Sequence, residues 1–387
     1  MIQSVASKST DFGTDAELIE ELRENQYSYL HVTKGHMILD EKFDNPTDFL
    51  PQSRAFLKGM IDEGVLVVDK TQGFYIYRQT INGTSHTGVI GLVDIEDYQS
   101  EHIKRHEYTR HDREEFISEL IDTTAVLGEP LLLSHHHKQS LEDLLRLIIQ
   151  DNPSTEFEKG GRFHQIWRVI DVDVISMIQR EMSEIQDFYI MDGHHRISSV
   201  SELYERKANE NYRYALSFVL DANQLSIAPF HRYICDSDLT HKELLRRLEA
   251  EFEISQSENY ILHPAEQRTF ILKCSEGTYV LKSRRSWGGL DVDLFEQKIL
   301  NQIFDIHDTR SDRRLQFLAG DDHLNDALSS LDSANNFLFL LHPCVFREIA
   351  MTSDARQVLP PKSTYVEPKC RAGLFIQPYG DNSLIND

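Results

Sequence analysis

The chain has 387 residues, of which 40% are apolar and 27% charged, an ordinary balance for a globular protein with two or three subdomains. Its formal net charge of −23, from 63 acidic and 40 basic residues, disfavours nucleic acid and anionic lipid as partners. No apolar run approaches the roughly 20 residues that cross a bilayer, and the first residues, MIQSVASKSTDFG, lack the apolar core of a signal peptide, so we expect a cytoplasmic protein.

The N-terminal part of the chain is predicted to combine two helices with a β-rich block. Residues 14–26 indicate a short helix with Thr14 or Asp15 as its N-cap, and residues 47–62 carry apolar side chains at helical spacing. Alternating or β-rich runs predict strands at 27–33, 65–70, 73–81 and 87–95. Asn82-Gly83 between the last two runs is a strong hairpin signal, so an antiparallel sheet is expected here.

The middle of the chain is predicted to alternate strands with helices. A charge-dense segment at 96–120 leads into a helix, and further helices are expected at 139–150 and 172–184. Short apolar runs predict buried strands at 130–134, 163–170, 188–191 and 214–220. The strand at 188–191 runs straight into another amphipathic helix, which gives this part a mixed α/β character.

A second region is expected to begin near residue 237. Its predicted elements are a helix at 240–252, a hairpin at 270–283, a helix at 291–303, a strand at 337–343, a PPKST loop and a strand in GLFIQP. The sequence therefore predicts an α+β protein with mixed sheets. We divide it into an N-terminal α+β region at 1–236 and a C-terminal α+β subdomain at 237–387.

The segment FYIMDGHHRISS at 188–199 is predicted to be a strand–turn–helix elbow that binds a phosphorylated ligand. A buried strand brings Asp192 to the edge of a sheet, and Gly193 permits a tight turn and close ligand approach. The first N–H groups of the next helix lie at the positive end of its dipole, where anions bind. Further donors at this turn are His194, His195, Arg196 and Ser198. Asp192, the one acid there, is expected to hold Mg²⁺ or a substrate hydroxyl.

A simpler interpretation of this turn is an ordinary helix start, with Asp192 as the N-cap and histidines that are solvated or packed in the core. That interpretation is preferred for a lone Asp-Gly pair, whereas Asp-Gly-His-His-Arg after an apolar strand favours the phosphate site. Zinc at His194 and His195 is disfavoured, because adjacent residues diverge at a helix start and no third ligand follows at helical spacing.

A second cluster of ionisable residues, KRHEYTRHDRE, covers residues 104–114. One interpretation is a solvated helix face with ion pairs at helical spacing. The other is a cationic wall in which one carboxylate, Glu107, acts as a general base. Spacing alone does not decide between them. The tail loop PPKSTYVEPK at 360–369, which contains the PPKST loop and offers Lys362, Ser363, Thr364 and Lys369, is equally open between an anion-binding lid and a packed turn.

Several stretches, in the same order along the chain, resemble a family known as domain of unknown function ten-fifteen. They include EGVLVVDKTQGFYIYRQ, IKRHEYTRHDRE, YIMDGHHRISSV and VLPPKSTYVEPKCRAGLFIQP. Two features depart from the family pattern. MIQSVASKST stands in place of an N-terminal Pro-Pro-Tyr-Asp-Val motif, which bears on the substrate pocket, and Ile197 replaces the usual tyrosine.

The DGHHR turn of this family is similar to that of the ParB/sulfiredoxin-like superfamily, where it holds nucleotide phosphates and whose members include free-serine kinases. The resemblance implies a nucleotide-binding core of that type, with ATP or ADP and Mg²⁺ as cofactors. It assigns catalytic roles to Glu107 as the base, to Asp192 as the ligand of Mg²⁺ or the hydroxyl, and to His195. Nucleotide phosphates are assigned to Gly193, His194, Arg196, Arg105 and Ser198. The substrate pocket is assigned to His106, Thr109, His164, His231, Arg232, Lys362, Ser363 and Thr364.

Three functions are then compared. The first is a nucleotide-dependent kinase that phosphorylates the hydroxyl of a small metabolite, with free L-serine or a related hydroxy amino acid foremost. The alternative is a nucleotide-binding regulatory protein without turnover. Phosphotransfer to a protein sulfinate is disfavoured, because all four cysteines are distant from the turn in sequence. Expected partners are a small-molecule substrate and a nucleotide, without nucleic acid or membrane, and a homodimer stays open.

Overall fold

A computed structural model describes residues 2–8, 14–39, 43, 45, 47–259, 261–309, 311–320, 324–331, 335–360 and 362–380, without the side chains of residues 325 and 326. The chain forms two compact units, with Met1–Leu225 and Pro368–Asp387 in unit 1 and Ser226–Glu367 in unit 2. Both units contain helices and β-sheets, so this is an α+β protein with several sheets. No helix among the described residues is long and apolar enough to cross a membrane.

Unit 1 contains the first nine helices and the first nine strands described. The helices are α1 (Ile2–Val5), α2 (Asp15–Glu24), α3 (Leu30–Lys34), α4 (Leu50–Asp62), α5 (Ile95–Gln99), α6 (His111–Thr124), α7 (Gln139–Ile148), α8 (Val172–Ser183) and α9 (His194–Lys207). The strands are β1 (Phe74–Ile81), β2 (Thr84–Asp94), β3 (Ile103–Lys104), β4 (Val126–Leu127), β5 (Leu131–His135), β6 (Thr155–Lys159), β7 (Arg162–Val169), β8 (Phe188–Asp192) and β9 (Tyr214–Asp221).

The main sheet of unit 1 has eight strands in the order β3-β8-β5-β9-β2-β1-β7-β6. Strand β8 lies second from one edge, where it pairs parallel with β3 and antiparallel with β5. Side chains alternate along β1, so Ile76 and Arg78 face one side of the sheet and Tyr77 and Gln79 face the other. Ile76 packs on its side with Trp167 and with apolar residues of α7, which forms one buried core of the unit.

Unit 2 contains the elements between residues 226 and 367. Its helices are α10 (His241–Leu248), α11 (Asp291–Phe295), α12 (Gln302–Phe304), α13 (Leu324–Ser329) and α14 (Phe346–Asp354), with a π-helical turn at Glu296–Asn301. Its strands are β10 (Ser226–Ile234), β11 (Phe252–Ser257), β12 (Thr269–Cys274), β13 (Gly277–Ser283), β14 (Leu315–Ala319), β15 (Phe337–Leu340) and β16 (Thr364–Glu367). They form one sheet in the order β11-β13-β12-β15-β10-β14, with β16 paired to the first half of β10.

The boundaries of the two units differ from the predicted division at 236/237. Two segments form hydrogen bonds with a different unit from the one that the sequence predicted. Strand β10 pairs with β14, β15 and β16, so the chain enters unit 2 at residue 226. After β16 the chain returns to unit 1, where Ala372 bridges Ser7 and the last described strand, β17 (Gln377–Pro378), pairs with β4. A segment that the sequence placed in the C-terminal subdomain therefore belongs to the first unit.

Most predicted elements are confirmed, including the capped helix at α2, in which Thr14 accepts from Glu17 N and Glu17 accepts from Thr14 N. The predicted hairpin is formed by β1 and β2, and Asn82 and Gly83 have the positive φ angles of 49° and 81° that such turns require. The GLFIQP strand is reduced to two residues, because Gly373 turns at a φ of 78°. The strands that were not predicted are β3, β4, β6, β10, β11, β14 and β16.

Two predicted strands are wrong. The 27–33 segment forms α3 instead, because Leu30 packs with apolar residues of α2 whereas Val32 packs with those of α4. Burial on two sides suits one helical turn better than a strand with a single buried face. The 65–70 segment forms no strand, because the N–H groups of Val65 and Leu66 both donate to the carbonyl of Met60 at the end of α4.

Candidate functional site

The predicted strand–turn–helix elbow is confirmed. Strand β8 is buried at Tyr189, Ile190 and Met191 and ends at Asp192. Gly193 follows with a φ of 95° and is the N-cap of α9. A Cβ at this position would lie 3.0 Å from both Leu131 Cδ2 and Arg196 Nε, so the turn requires glycine for its backbone angle and for the space around it.

Asp192 is bound by two cations. Lys369 Nζ donates to Oδ1 at 2.7 Å, and the guanidinium of Arg196 forms an ion pair with Oδ2. Burial alone would raise the pKa of the Asp192 carboxyl, but the charges of Lys369 and Arg196 outweigh burial and hold that pKa below its ordinary value. The carboxylate is therefore ionised across the physiological pH range.

The guanidinium of Arg196 forms several hydrogen bonds within the protein. Its Nη1 donates to the carbonyls of Glu129 at 3.1 Å and Pro130 at 2.6 Å, immediately before β5, while its Nη2 binds Asp192. The side chain is only 8% exposed. The guanidinium thus fastens the start of β5 to the end of β8, and its predicted contact with phosphate stays a prediction.

Lys369 belongs to the segment that returns from unit 2. Its carbonyl accepts from Gln79 Nε2 at 2.9 Å, and its neighbours Cys370 and Arg371 are buried. The sequence indicated Lys369 only as part of a tail loop and did not pair it with Asp192. The two residues are 177 positions apart, and their presence in two separate family-like stretches was the only available signal.

Two histidines beside Asp192 are buried and face each other. The rings of His106 and His194 lie 4.6 Å apart at 86°, and His106 N approaches His194 Nε2 at 3.4 Å. Burial lowers the pKa of His106 to about 4 and holds the pKa of His194 well below its ordinary value. Both imidazoles are therefore neutral at pH 7 and supply hydrogen-bonding atoms rather than charge.

The KRHE segment lies against the elbow, as the sequence suggested. His195 Nε2 accepts from Arg110 N at 3.0 Å, so the 106–110 loop is held to the first turn of α9 by two histidines. This bond makes Nδ1 the protonated nitrogen of a neutral His195. Of the other predicted residues, Arg105 is exposed, whereas Glu107, Thr109 and Ser198 are half-buried.

His164 lies on β7, away from the elbow motif in sequence. Its Nδ1 lies 2.7 Å from the hydroxyl of Tyr77, and its ring stacks on Phe157 at 4.7 Å. Burial, assisted by the charge of Arg371, lowers the pKa of His164 to about 4. These neighbours make His164 part of a packed aromatic layer, and its predicted contact with substrate stays a prediction.

The remaining predicted residues lie in unit 2, around β10 and β16. His231 Nδ1 accepts from Leu341 N at 3.1 Å, and Arg232 lies buried with its guanidinium 4.4 Å from the ring of Phe317. Lys362 lies over the ring of Phe230 at 5.4 Å, and Ser363 donates to Pro360 O at 2.6 Å. Thr364 begins β16. A shared pocket of these residues with the elbow stays a prediction.

Binding of Mg²⁺ at Asp192 stays a prediction, since the described side chains do not form a metal site by themselves. Among the described residues, no group of three or more His, Cys, Asp or Glu side chains is placed to hold a metal ion. Asp192, the predicted Mg²⁺ ligand, has a cation on each of its oxygens. A bound Mg²⁺ would have to displace or face Lys369 and Arg196, which like-charge repulsion opposes.

Comparisons with known proteins add a family match. A family model described as "Protein of unknown function (DUF1015)" matches residues 1–294. No curated protein matches the chain. Solved structures with some likeness include SbnI with a C-terminal truncation from Staphylococcus aureus, at 11% identity and a TM-score of 0.42, covering 73% of this chain and 85% of that one.

Two further structures are a mutant of free serine kinase in complex with ADP and a conserved hypothetical protein from Pyrococcus furiosus. Both are 14% identical to this chain. The first has a TM-score of 0.39 and covers 74% of this chain and 94% of the kinase. The second has a TM-score of 0.36 and covers 73% of this chain and 93% of that one. Likeness at these TM-scores carries no argument about ligands or activity.

Proposed function

The chain belongs to the DUF1015 family, and within it we propose that the elbow at Asp192 serves a nucleotide-dependent kinase. The reaction would phosphorylate the hydroxyl of a small metabolite, with free L-serine or a related hydroxy amino acid foremost. The observation that carries the proposal is an ionised carboxylate, held between two cations at the N-terminus of a 14-residue helix. Acceptor orientation, phosphate binding and charge neutralisation are thereby brought together.

The N-terminus of α9 supports nucleotide binding. No side chain in the described part of the chain caps it, so its positive dipole end faces the turn. Gly193 lacks a Cβ, which allows a phosphate to approach the backbone closely. We propose a ParB/sulfiredoxin-like nucleotide-binding core on this basis, with ATP or ADP held by the backbone of the turn and by donors of His194 and His195.

Asp192 and Lys369 suit two different roles in the proposed phosphoryl transfer. A carboxylate whose pKa is held below its ordinary value is a weak base but a good hydrogen-bond acceptor. Asp192 would therefore orient the acceptor hydroxyl, while Glu107, half-buried in the adjacent loop, would take its proton. Lys369 would offset negative charge that develops on the transferred group. Arg196 would position Asp192.

The balance of charge also favours a second candidate, a nucleotide-binding regulatory protein without turnover. Both oxygens of Asp192 already accept bonds from the protein, and no described residue cluster suits a metal. A site closed in this way can bind phosphates at α9 without activating a hydroxyl. Turnover is therefore the property that separates the two candidates.

Turnover is tested by incubating the protein with ATP, Mg²⁺ and L-serine, L-threonine or L-homoserine, and following O-phosphorylated product by ³¹P NMR. L-alanine is the matched control, because it lacks only the hydroxyl of serine. The kinase proposal expects product with a hydroxy amino acid and none with alanine. Nucleotide binding without product from any of them would overturn the kinase and leave the regulator.

Glu107→Gln tests the proposed base. It preserves the size of the side chain, so nucleotide affinity should be unchanged while turnover falls about a hundredfold or more. Glu114→Gln, in the first turn of α6, is the control and should retain turnover. Equal turnover of Glu107→Gln and the wild type would remove Glu107 from the mechanism.

A further inference from the structure

A cleft in unit 1, apart from the elbow, contains a guanidinium that has no ionic partner among the described residues. The cleft has a volume of about 210 Å³ and lies between α7 and the strands β1, β2 and β9. Arg78 of β1 lines it, with Nε donating to Thr87 Oγ1 at 3.0 Å and the guanidinium 5.3 Å from the ring of Trp167. Arg78 forms no ion pair with any described carboxylate, and burial lowers its pKa.

The contacts of Arg78 fix the orientation of its guanidinium. Thr87 holds Nε and Trp167 supports the plane of the guanidinium, so the group is ordered before any ligand arrives. The two terminal nitrogens remain as a planar pair of donors, a geometry that matches the two oxygens of a carboxylate. A half-buried cation of this kind is stabilised by an anion that enters the cleft.

The other charged side chains around the cleft already have partners within the protein. Arg146 binds Glu142 at 2.6 Å on the same helix. Asp221 accepts from His137 Nδ1 at 2.8 Å and from Lys138 N at 3.0 Å. His135, also in the lining, is buried, which lowers its pKa and keeps it neutral. Arg78 is therefore the charged side chain of this lining that has no ion pair among the described residues, and a single guanidinium suits a monoanion better than a phosphate dianion.

The cleft also has an apolar wall. Leu141 and Leu145 of α7 and Val89 and Val219 of the sheet line it. Three of these side chains also belong to the core cluster around Ile76 and Trp167. A ligand that fills the cleft would place a hydrocarbon chain on this wall and remove it from water.

We propose that this cleft is a binding site for a small aliphatic monocarboxylate, with its carboxylate on Arg78 and its chain on the apolar wall. Such a ligand matches a guanidinium without an ion pair among the described residues, its planar pair of donors and the adjacent hydrocarbon surface. The site is separate from the elbow, since Arg78 and Gln79 face opposite sides of β1 and only Gln79 contacts Lys369. The proposal for the cleft is therefore independent of the proposed kinase activity.

The probe for this site is sodium hexanoate, and the reporter is the fluorescence of Trp167 in a Trp287→Phe background, which leaves one tryptophan in the chain. We expect a saturable change with hexanoate. Acetate keeps the charge but loses the chain, and 1-hexanol keeps the chain but loses the charge. Each should bind at least about tenfold more weakly than hexanoate. Inorganic phosphate should not compete.

Arg78→Gln should weaken hexanoate binding about tenfold to a hundredfold. Arg146→Gln is the matched control, because this arginine already has a partner on its own helix, and its affinity should stay within about twofold of the wild type. Arg78→Lys keeps the charge without the planar pair and should fall between them, which keeps the test valid if the glutamine variant fails to fold. Absence of saturable binding, or equal affinity in the wild type and in the Arg78 variants, would overturn the proposal.

Discussion

Unit 1 holds two charged sites that differ in how their charges are balanced. At the elbow, Asp192 pairs with Lys369 and Arg196, and Arg196 also pairs with the Glu129 carboxylate at 3.6 Å, so two cations meet two carboxylates. In the cleft, the Arg78 guanidinium contacts a hydroxyl and an aromatic ring but forms no ion pair with a described carboxylate. The difference teaches that a balanced buried charge fixes the shape of a site, whereas an unbalanced one leaves ligand charge to complete it.

The largest expected effect comes from breaking the balance at the elbow. Asp192→Asn would remove the charge that joins the half-buried Lys369 to Arg196, which also pairs with Glu129. We expect the free energy of unfolding at pH 7 to fall by roughly 3–5 kcal/mol, measured by urea unfolding followed by circular dichroism. Phosphoryl transfer, if present in the wild type, should be lost.

An exposed pair of the same residue types provides the control. Arg110 and Asp112 form an ion pair with side chains 60% and 66% exposed, so Asp112→Asn should cost less than about 1 kcal/mol. The loss in Asp192→Asn also depends on pH with a definite sign. Because the folded pKa of Asp192 is lowered, its contribution is present above the unfolded value of about 3.9 and disappears below it. A loss that persists undiminished at pH 2 would contradict the ionic explanation.

The buried histidines beside the elbow predict a second pH dependence of stability. It has the same direction but comes from a base that burial keeps neutral, not from a carboxylate that ion pairs keep charged. His106 has a pKa lowered from 6.5 to about 4, so between these values the unfolded chain binds more protons than the folded one. The free energy of unfolding should therefore fall as pH is lowered from about 6.5 to about 4, by roughly 3 kcal/mol from this group.

His106→Gln should flatten that dependence, measured by urea unfolding at a series of pH values. His102→Gln is the control, since His102 is 65% exposed and its substitution should leave the slope unchanged. Equal slopes for His106→Gln and the wild type would show that the neutral His106–His194 pair is not what disfavours acid.

Gly193→Ala has a smaller expected effect. The new Cβ would have to tolerate a φ of 95° and two atoms at 3.0 Å, which together should cost about 2–3 kcal/mol. Gly64→Ala is matched in φ, at 68°, but meets no atom within 4 Å, so it should cost only about 1 kcal/mol. Equal thermal stability of the two variants would mean that the packing around the elbow is looser than these distances imply.

The sequence predicted the elbow because its signals are local. Five consecutive residues after an apolar strand specify the turn, its glycine and the helix start, and the Asn82-Gly83 hairpin was found in the same way. The partner of Asp192 could not be found from local pattern, because Lys369 arrives after the whole of unit 2. The Arg78 cleft was missed for a related reason, since its lining residues are spread between positions 78 and 224 over β1, β2, β5, α7, β9 and the turn that follows.

Hydrogen–deuterium exchange with and without ATP tests the central claim most directly, because it reports where a nucleotide binds without requiring turnover. We predict slower exchange of the amides at 193–197 and 105–110 when ATP is added, with residues 84–92, which line the Arg78 cleft, unchanged. Sodium hexanoate should produce the reverse pattern. Nucleotide protection confined to other parts of the chain, or no protection at all, would contradict a phosphate site at the elbow.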